Sequence, residues 1–172
     1  MRRAVVRPEV VVEEMPAPQR IAPHAFALSG EIAAGDDDLA SGRFILLHDP
    51  SGNDAWGGTF RCVTFARSQI EVDMAVDPLL PSVGWSWLVE ALESHGSSYE
   101  EASGSVTVVR NEGFGTMADD GADSQIEVRA SWTPTSDAGD HVSAWSDMLS
   151  ALAGLPPLSP GVIPLNRRRG AR

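Results

Sequence analysis

The 172-residue chain contains no lysine; all 13 of its basic residues are arginine. That excludes a P-loop lysine, a kinase-type lysine and Schiff-base chemistry on an amine side chain. Cysteine occurs once, at Cys62, so there is no internal disulfide and no cysteine zinc cluster. Long apolar runs are missing too. The uncharged stretch 78–89 near the middle is too short to span a bilayer and holds two prolines. The opening MRRAVVRPEV has positive charge but no apolar run before Arg7 and Pro8, which excludes an ordinary secretory signal. The expected setting is therefore the cytoplasm, with no membrane contact. The four histidines, His24, His48, His95 and His141, form no H-x-x-x-H or HExxH pair.

Charge is divided along the chain, which carries a formal net charge of −11. Seven arginines lie in residues 1–7 and 167–172, which hold no acid. Between them six arginines face 24 acids, a net of −18. So acidic a body binds nucleic acid poorly, because such binding rests on neutralising phosphates. RNA contact is expected only through the arginine tails. The length fits one domain. Residues 1–6 read as a basic tail, 7–155 as the domain and 156–172 as a proline-rich tail ending in arginines.

What is present is patterned. Residues 56–96 organise the rest. Residues 59–66 form a strand apolar on both faces, hence central in its sheet. Residues 69–76 alternate cleanly, Ile70, Val72, Met74 and Val76 against Glu71, Asp73 and Asp77, so a paired strand is expected after a hairpin at Arg67-Ser68. Pro78 and Pro81 stop the ladder, Ser82 caps a helix over 83–95, and Gly96 ends it. Trp85, Leu88, Val89 and Leu92 share one helical face.

Before this stretch, residues 7–15, 24–33 and 43–48 read as strands, with an acidic loop at 35–42 and a turn-rich loop at 49–58. After it, a connector at 97–104 leads to strands 105–110 and 125–132. The second of these turns Ile126, Val128, Ala130 and Trp132 inward and Glu127, Arg129 and Ser131 outward. The 111–124 link is too long for a tight hairpin. Ser136 or Asp137 caps a helix over 138–153 with Val142, Trp145, Leu149 and Leu152 as its stripe, ended by Gly154-Leu155-Pro156. The order β-β-β-β-β-α-β-β-α indicates an α+β fold, a mostly antiparallel sheet with two helices on one face. Its later portion has the element order of type III secretion chaperones, an analogy that carries no function.

No catalytic set stands out. Cys62 shares a strand face with Phe60 and reads as a small buried hydrophobe rather than a nucleophile. His48-Asp49 could make an acid–base pair beside a glycine-rich loop. Asp49, Ser51, Asn53 and Asp54, and separately Asp119, Asp120 and Asp123, alternate oxygen ligands but lack the glycine and glutamate of a calcium loop. Gly113-Phe114-Gly115 is a lone GxG. No metal or cofactor is implied. His48, Asp49, Trp56, Arg61 and Trp87 remain as pocket or interface candidates.

The runs PEVVVEEMPAPQRIAPHAFALSGEI, SGRFILLHDPSGNDAWGGTFRCVTFARSQIEVDMAVDPLLPSVGWSWLVEAL and SAWSDMLSALAGLPPLSPGV are together similar to the actinobacterial domain-of-unknown-function 3000 family. The resemblance covers residues 7–162. It implies no activity, cofactor or site residue. Genes of that family tend to lie near haem-biosynthesis and ribonuclease D genes, which adds a haem-related ligand to the alternatives. The expectation is a non-catalytic protein-binding adaptor or chaperone-like module, with a protein partner or a homodimer. The alternatives are a small-molecule binding protein or enzyme with a pocket near 48–61, and an RNA-associated protein.

Overall fold

The computed structural model describes residues 4–34 and 37–157. The expected α+β class and its order of strands, helix, strands, helix hold, with four strands before the first helix. They are β1 (Val11–Met15), β2 (His24–Ala34), β3 (Asp37–Asn53) and β4 (Gly58–Gln69). A 3-10 turn (Met74–Val76) leads to α1 (Leu80–Ser94); β5 (Tyr99–Glu112), a second 3-10 turn (Gly115–Asp120), β6 (Ala122–Pro134) and α2 (Ala138–Leu152) follow. One antiparallel sheet runs β1-β2-β3-β4-β6-β5. Cys62, Thr64 and Ala66 of β4 face the helices while Val63 and Phe65 face the other way, as a central strand apolar on both sides should.

Residues directly opposite in a ladder share a face, so register assigns sides. Gly30, Gly42, Ala66, Val128 and Val106 lie in one row beneath the helices. A Cβ on Gly30 would stand 2.6 Å from the Trp145 ring, and one on Gly42 would stand 3.2 Å from Leu149. Glycine at these two positions is what lets α2 descend onto the strands. Fully buried Phe44, Trp132, Trp145, Met148, Leu149, Ile126 and Val128 fill the space, joined from α1 by Leu88 and Leu92. The inward set Ile126, Val128, Ala130 and Trp132 is buried throughout, as its alternation requires. Asp137 caps α2 by accepting the Gly139 N–H at 2.8 Å, and Gly96 and Gly154 end the helices with positive φ.

Several expectations are corrected. The hairpin at Arg67-Ser68 is absent, because β4 runs straight through both residues, paired to β3 and β6. The strand over 69–76 does not form. Ladder pairing stops at Ser68 on one side and Gln69 on the other; one more bond crosses, from Ile70 N–H to Ser124 C=O, and beyond it the backbone bonds locally, Met74 N–H to Glu71 C=O among them. Met74 and Val76 are therefore 43% and 63% exposed. Ser82 is no cap: α1 begins at Leu80 with a proline in its first turn, where the missing N–H costs nothing. The first turn is steadied by the Asp77 carboxylate accepting the Leu79 N–H at 2.8 Å. The acidic loop at 35–42 belongs largely to β3, since Asp38–Gly42 pair with β2. Likewise β3 continues to Asn53, leaving a turn at 54–57, and β5 starts at Tyr99 rather than after Gly104. Among the described residues no helix is long and apolar enough to cross a membrane.

Adding one methyl at Gly30 must displace Trp145 or the strand. Gly30→Ala is expected to lower stability by about 1–3 kcal/mol in urea denaturation; a cost below roughly 0.5 kcal/mol would show that α2 sits looser than this contact.

Candidate functional site

The pocket candidates of the 48–61 region do not converge. His48 lies on the helix side of the sheet, stacked on Phe60 (centroids 4.2 Å, planes 9° apart) and on His24 (5.6 Å). Arg61 is paired to Leu47 and so points from the opposite face. Asp49 spends one carboxylate oxygen on the Ser51 N–H at 3.0 Å, a turn bond. Trp56 and Arg61 do meet, through Thr133: its hydroxyl donates to the Trp56 carbonyl and accepts from Arg61 Nη1 at 3.0 Å. Arg61 Nη2 donates to Ser131 Oγ at 2.7 Å and to Ser103 Oγ at 3.4 Å. Its guanidinium is thus held by three hydroxyls, and among the described residues it forms no ion pair with a carboxylate. Burial pulls its pKa down, while Glu101 and Cys62 act the other way.

Trp87 lies elsewhere, half-buried on α1. It lines a groove of about 520 Å³ with Arg7, Ala91, Asp147, Ala151 and Leu155. Beside it His95 Nε2 meets Asp147 Oδ2 at 2.8 Å, joining α1 to α2. That hydrogen bond raises the His95 pKa above 6.5 against the opposing pull of burial.

A serine and a histidine also meet at the start of α2, with Ser136 Oγ 3.2 Å from His141 Nε2. The pair is not a nucleophile with its base. Trp132 Nε1–H donates to His141 Nδ1 at 3.0 Å, so the neutral ring carries its proton on Nε2 and donates it toward Ser136. A base for Ser136 would need that nitrogen bare. His141 is fully buried, and burial lowers its pKa below 6.5. Its place four residues before Trp145 was the available signal that it belongs to the core stripe. Cys62 is likewise fully buried, and burial pushes its thiol far up, so the thiolate is not formed. Among the described residues no three His, Cys, Asp or Glu side chains are grouped to hold a metal.

The surface carries an apolar group that the sequence pattern alone does not expose. Met74, Val76, Leu79 and Val83 are 43%, 63%, 65% and 40% exposed along the 3-10 turn and the start of α1. Exposed Glu71, Asp73 and Asp77 flank them. The alternation of 69–76 is their signal in the sequence, and the apolar residues stand there without a partner strand to cover them.

A family model described as a protein of unknown function (DUF3000) matches residues 1–163, and the chain belongs to that family. No curated protein and no solved structure matches it.

The two perturbed histidines pull stability in opposite directions with pH. His95, raised, stabilises the fold below about pH 6.5, and that contribution is lost as pH rises through its folded value. His141, lowered, stabilises above pH 6.5, and its contribution is lost as pH falls through its folded value. NMR titration should place the His95 ring midpoint above 6.5 and keep His141 neutral below it, and His95→Gln should abolish the alkaline-side loss. The Cys62 thiol should react with aromatic disulfides only as the protein unfolds; rapid reaction of the native protein would contradict its burial.

Proposed function

We propose that this DUF3000 chain is a cytoplasmic, non-catalytic protein-binding adaptor, and that its contact surface is the apolar shoulder of Met74, Val76, Leu79 and Val83. The observation that carries the reading is the exposure of four large apolar side chains within ten residues of chain. Full burial of such side chains contributes about 1.5–3 kcal/mol each, the scale of interface anchors. The rim of Glu71, Asp73 and Asp77, and the −18 body behind it, select the partner. A basic segment with apolar side chains is attracted at a distance and paired on arrival. A second copy would set the same acids against each other, so the occupant is a different protein.

The other readings have less support. A small-molecule site near 48–61 needs His48 and Arg61 together, and they leave opposite faces of the sheet. RNA contact was expected through residues 1–6 and 156–172. The arginines of those tails, Arg2, Arg3, Arg167, Arg168, Arg169 and Arg172, lie outside the described residues, and Arg7, the remaining basic residue near the N-terminus, is occupied by Glu9 and the Pro156 carbonyl.

The test is affinity capture from native lysate with three forms of the chain. The expected partner is basic, is released by raising salt to about 0.5 M, and is bound about tenfold or more weakly by Leu79→Glu. Trp87→Ala, in the groove, should leave it bound. A partner indifferent to Leu79→Glu and to salt, or one lost with Trp87→Ala alone, sinks the shoulder as the contact surface.

A further inference from the structure

The sheet face turned away from the helices carries an unusual concentration of arginine. Of the six arginines between residues 8 and 166, four project there: Arg43, Arg61, Arg67 and Arg129. In a body of net charge −18 these four share their face with Glu13, Glu31 and Glu127, so arginine outnumbers acid there on the central strands. At the centre of this cluster is Ser131. Register places Val63 on one side of it and Ser103 on the other, with Thr133 and Arg61 in the row above and Arg129 and Ser105 in the row below.

Two carboxylates border this ring, Glu127 on Arg129 and Glu101 acting on Arg61 from a distance, but the groups that hold Arg61 are hydroxyls. Arg61 is 8% exposed and gives its Nη protons to the oxygens of Ser131, Ser103 and Thr133. Each serine oxygen that accepts from a guanidinium has its own O–H left to donate, directed away from Arg61 and made more acidic by it. The buried charge is thereby relayed to the surface as oriented donors. Next to them Arg129 is exposed, its guanidinium over the Phe65 ring at 5.1 Å and one nitrogen on Glu127 at 3.1 Å. The other donors of that planar fork remain available on the same face.

We propose that this ring binds a tetrahedral oxyanion of the phosphate class, seated on the Ser131 and Ser103 hydroxyls and clamped by Arg129, with Arg61 beneath as the fixed charge. Hydroxyl and guanidinium donors at neighbouring positions of one sheet face match the acceptor-only oxygens of such a group, with Arg129 exchanging its exposed Glu127 pair for the ligand. A carboxylate would use fewer of them. The site is on the opposite face from the partner-binding shoulder and does not depend on it. Its ligand is either free phosphate or the phosphate of a small monoester.

Titration of the full chain by two-dimensional NMR at low salt decides this, using inorganic phosphate, glycerol 3-phosphate and acetate as probes. Saturable shifts are expected at the Ser103 and Ser131 amides with both phosphates and not with acetate. Tighter binding of the monoester identifies an esterified ligand, and equal or weaker binding identifies the free ion; both support the site. Arg129→Gln and Ser103→Ala, at exposed positions, should each weaken binding about tenfold. Arg110→Gln, an arginine outside the ring, and Leu79→Glu should leave it unchanged. Equal loss in Arg110→Gln, shifts spread over the surface, or no effect of Arg129→Gln would mean general ionic screening and would overturn the proposal.

Discussion

The approach of α2 to the sheet sets most of what else is seen. Trp145 lies where a Cβ on Gly30 would stand only 2.6 Å from its ring, and Leu149 where one on Gly42 would stand 3.2 Å away, so any larger residue would have to push α2 outward. Trp145 is fully buried there, against Phe44 at 5.9 Å, and Phe44 in turn meets Trp132. Cores packed to this density do not deform continuously. Both helices therefore stay committed to one face. The opposite face is left to side chains alone, and Ala27 and Leu47 are buried on it without belonging to the core beneath the helices.

That asymmetry separates two electrostatic surfaces on a small molecule. The shoulder at the start of α1 is apolar and rimmed by acids. On the bare sheet face Arg61 and Arg67 are steadied by serine and threonine hydroxyls, and Arg129 by Glu127 and the Phe65 ring. An arginine bonded only to neutral hydroxyls keeps its field, whereas one paired with a carboxylate largely cancels it. Arg61 is of the first kind and Arg7, clasped by Glu9 at 3.2 Å, is of the second. Distance in sequence is no guide here: Arg61 reaches Ser131 across 70 residues.

Local periodicity revealed much of the fold and little of the sites. The inward set of β6 and the stripe of α2 could be read because each is repeated over several residues and buried by a neighbour that exists. Residues 69–76 had an equally clean alternation and form no strand, because a strand needs a partner ladder and that is a property of the rest of the chain. Gly42 ends the stretch expected as an acidic loop and is instead a contact point for Leu149 of α2, about a hundred residues on. Of the five candidate residues, Trp56 and Arg61 are joined only by way of Thr133, which no local pattern links to either. Arg129 and Ser131 were read correctly as facing out, yet nothing local places them beside Arg61.

The strand order carries a consequence for how the chain is made. β4 ends at Gln69, but its second neighbour, β6, begins only at Ala122, and α2, which covers the core, only at Ala138. On a ribosome the first four strands emerge with one sheet edge unpaired and their apolar face bare. At about 5–20 residues per second this lasts on the order of several seconds. Completion waits for a contact between distant parts of the chain, the slow class of folding event. The nascent protein thus passes through a stage with an open edge and an uncovered face, when it is most prone to aggregate and most dependent on whatever shelters emerging chains.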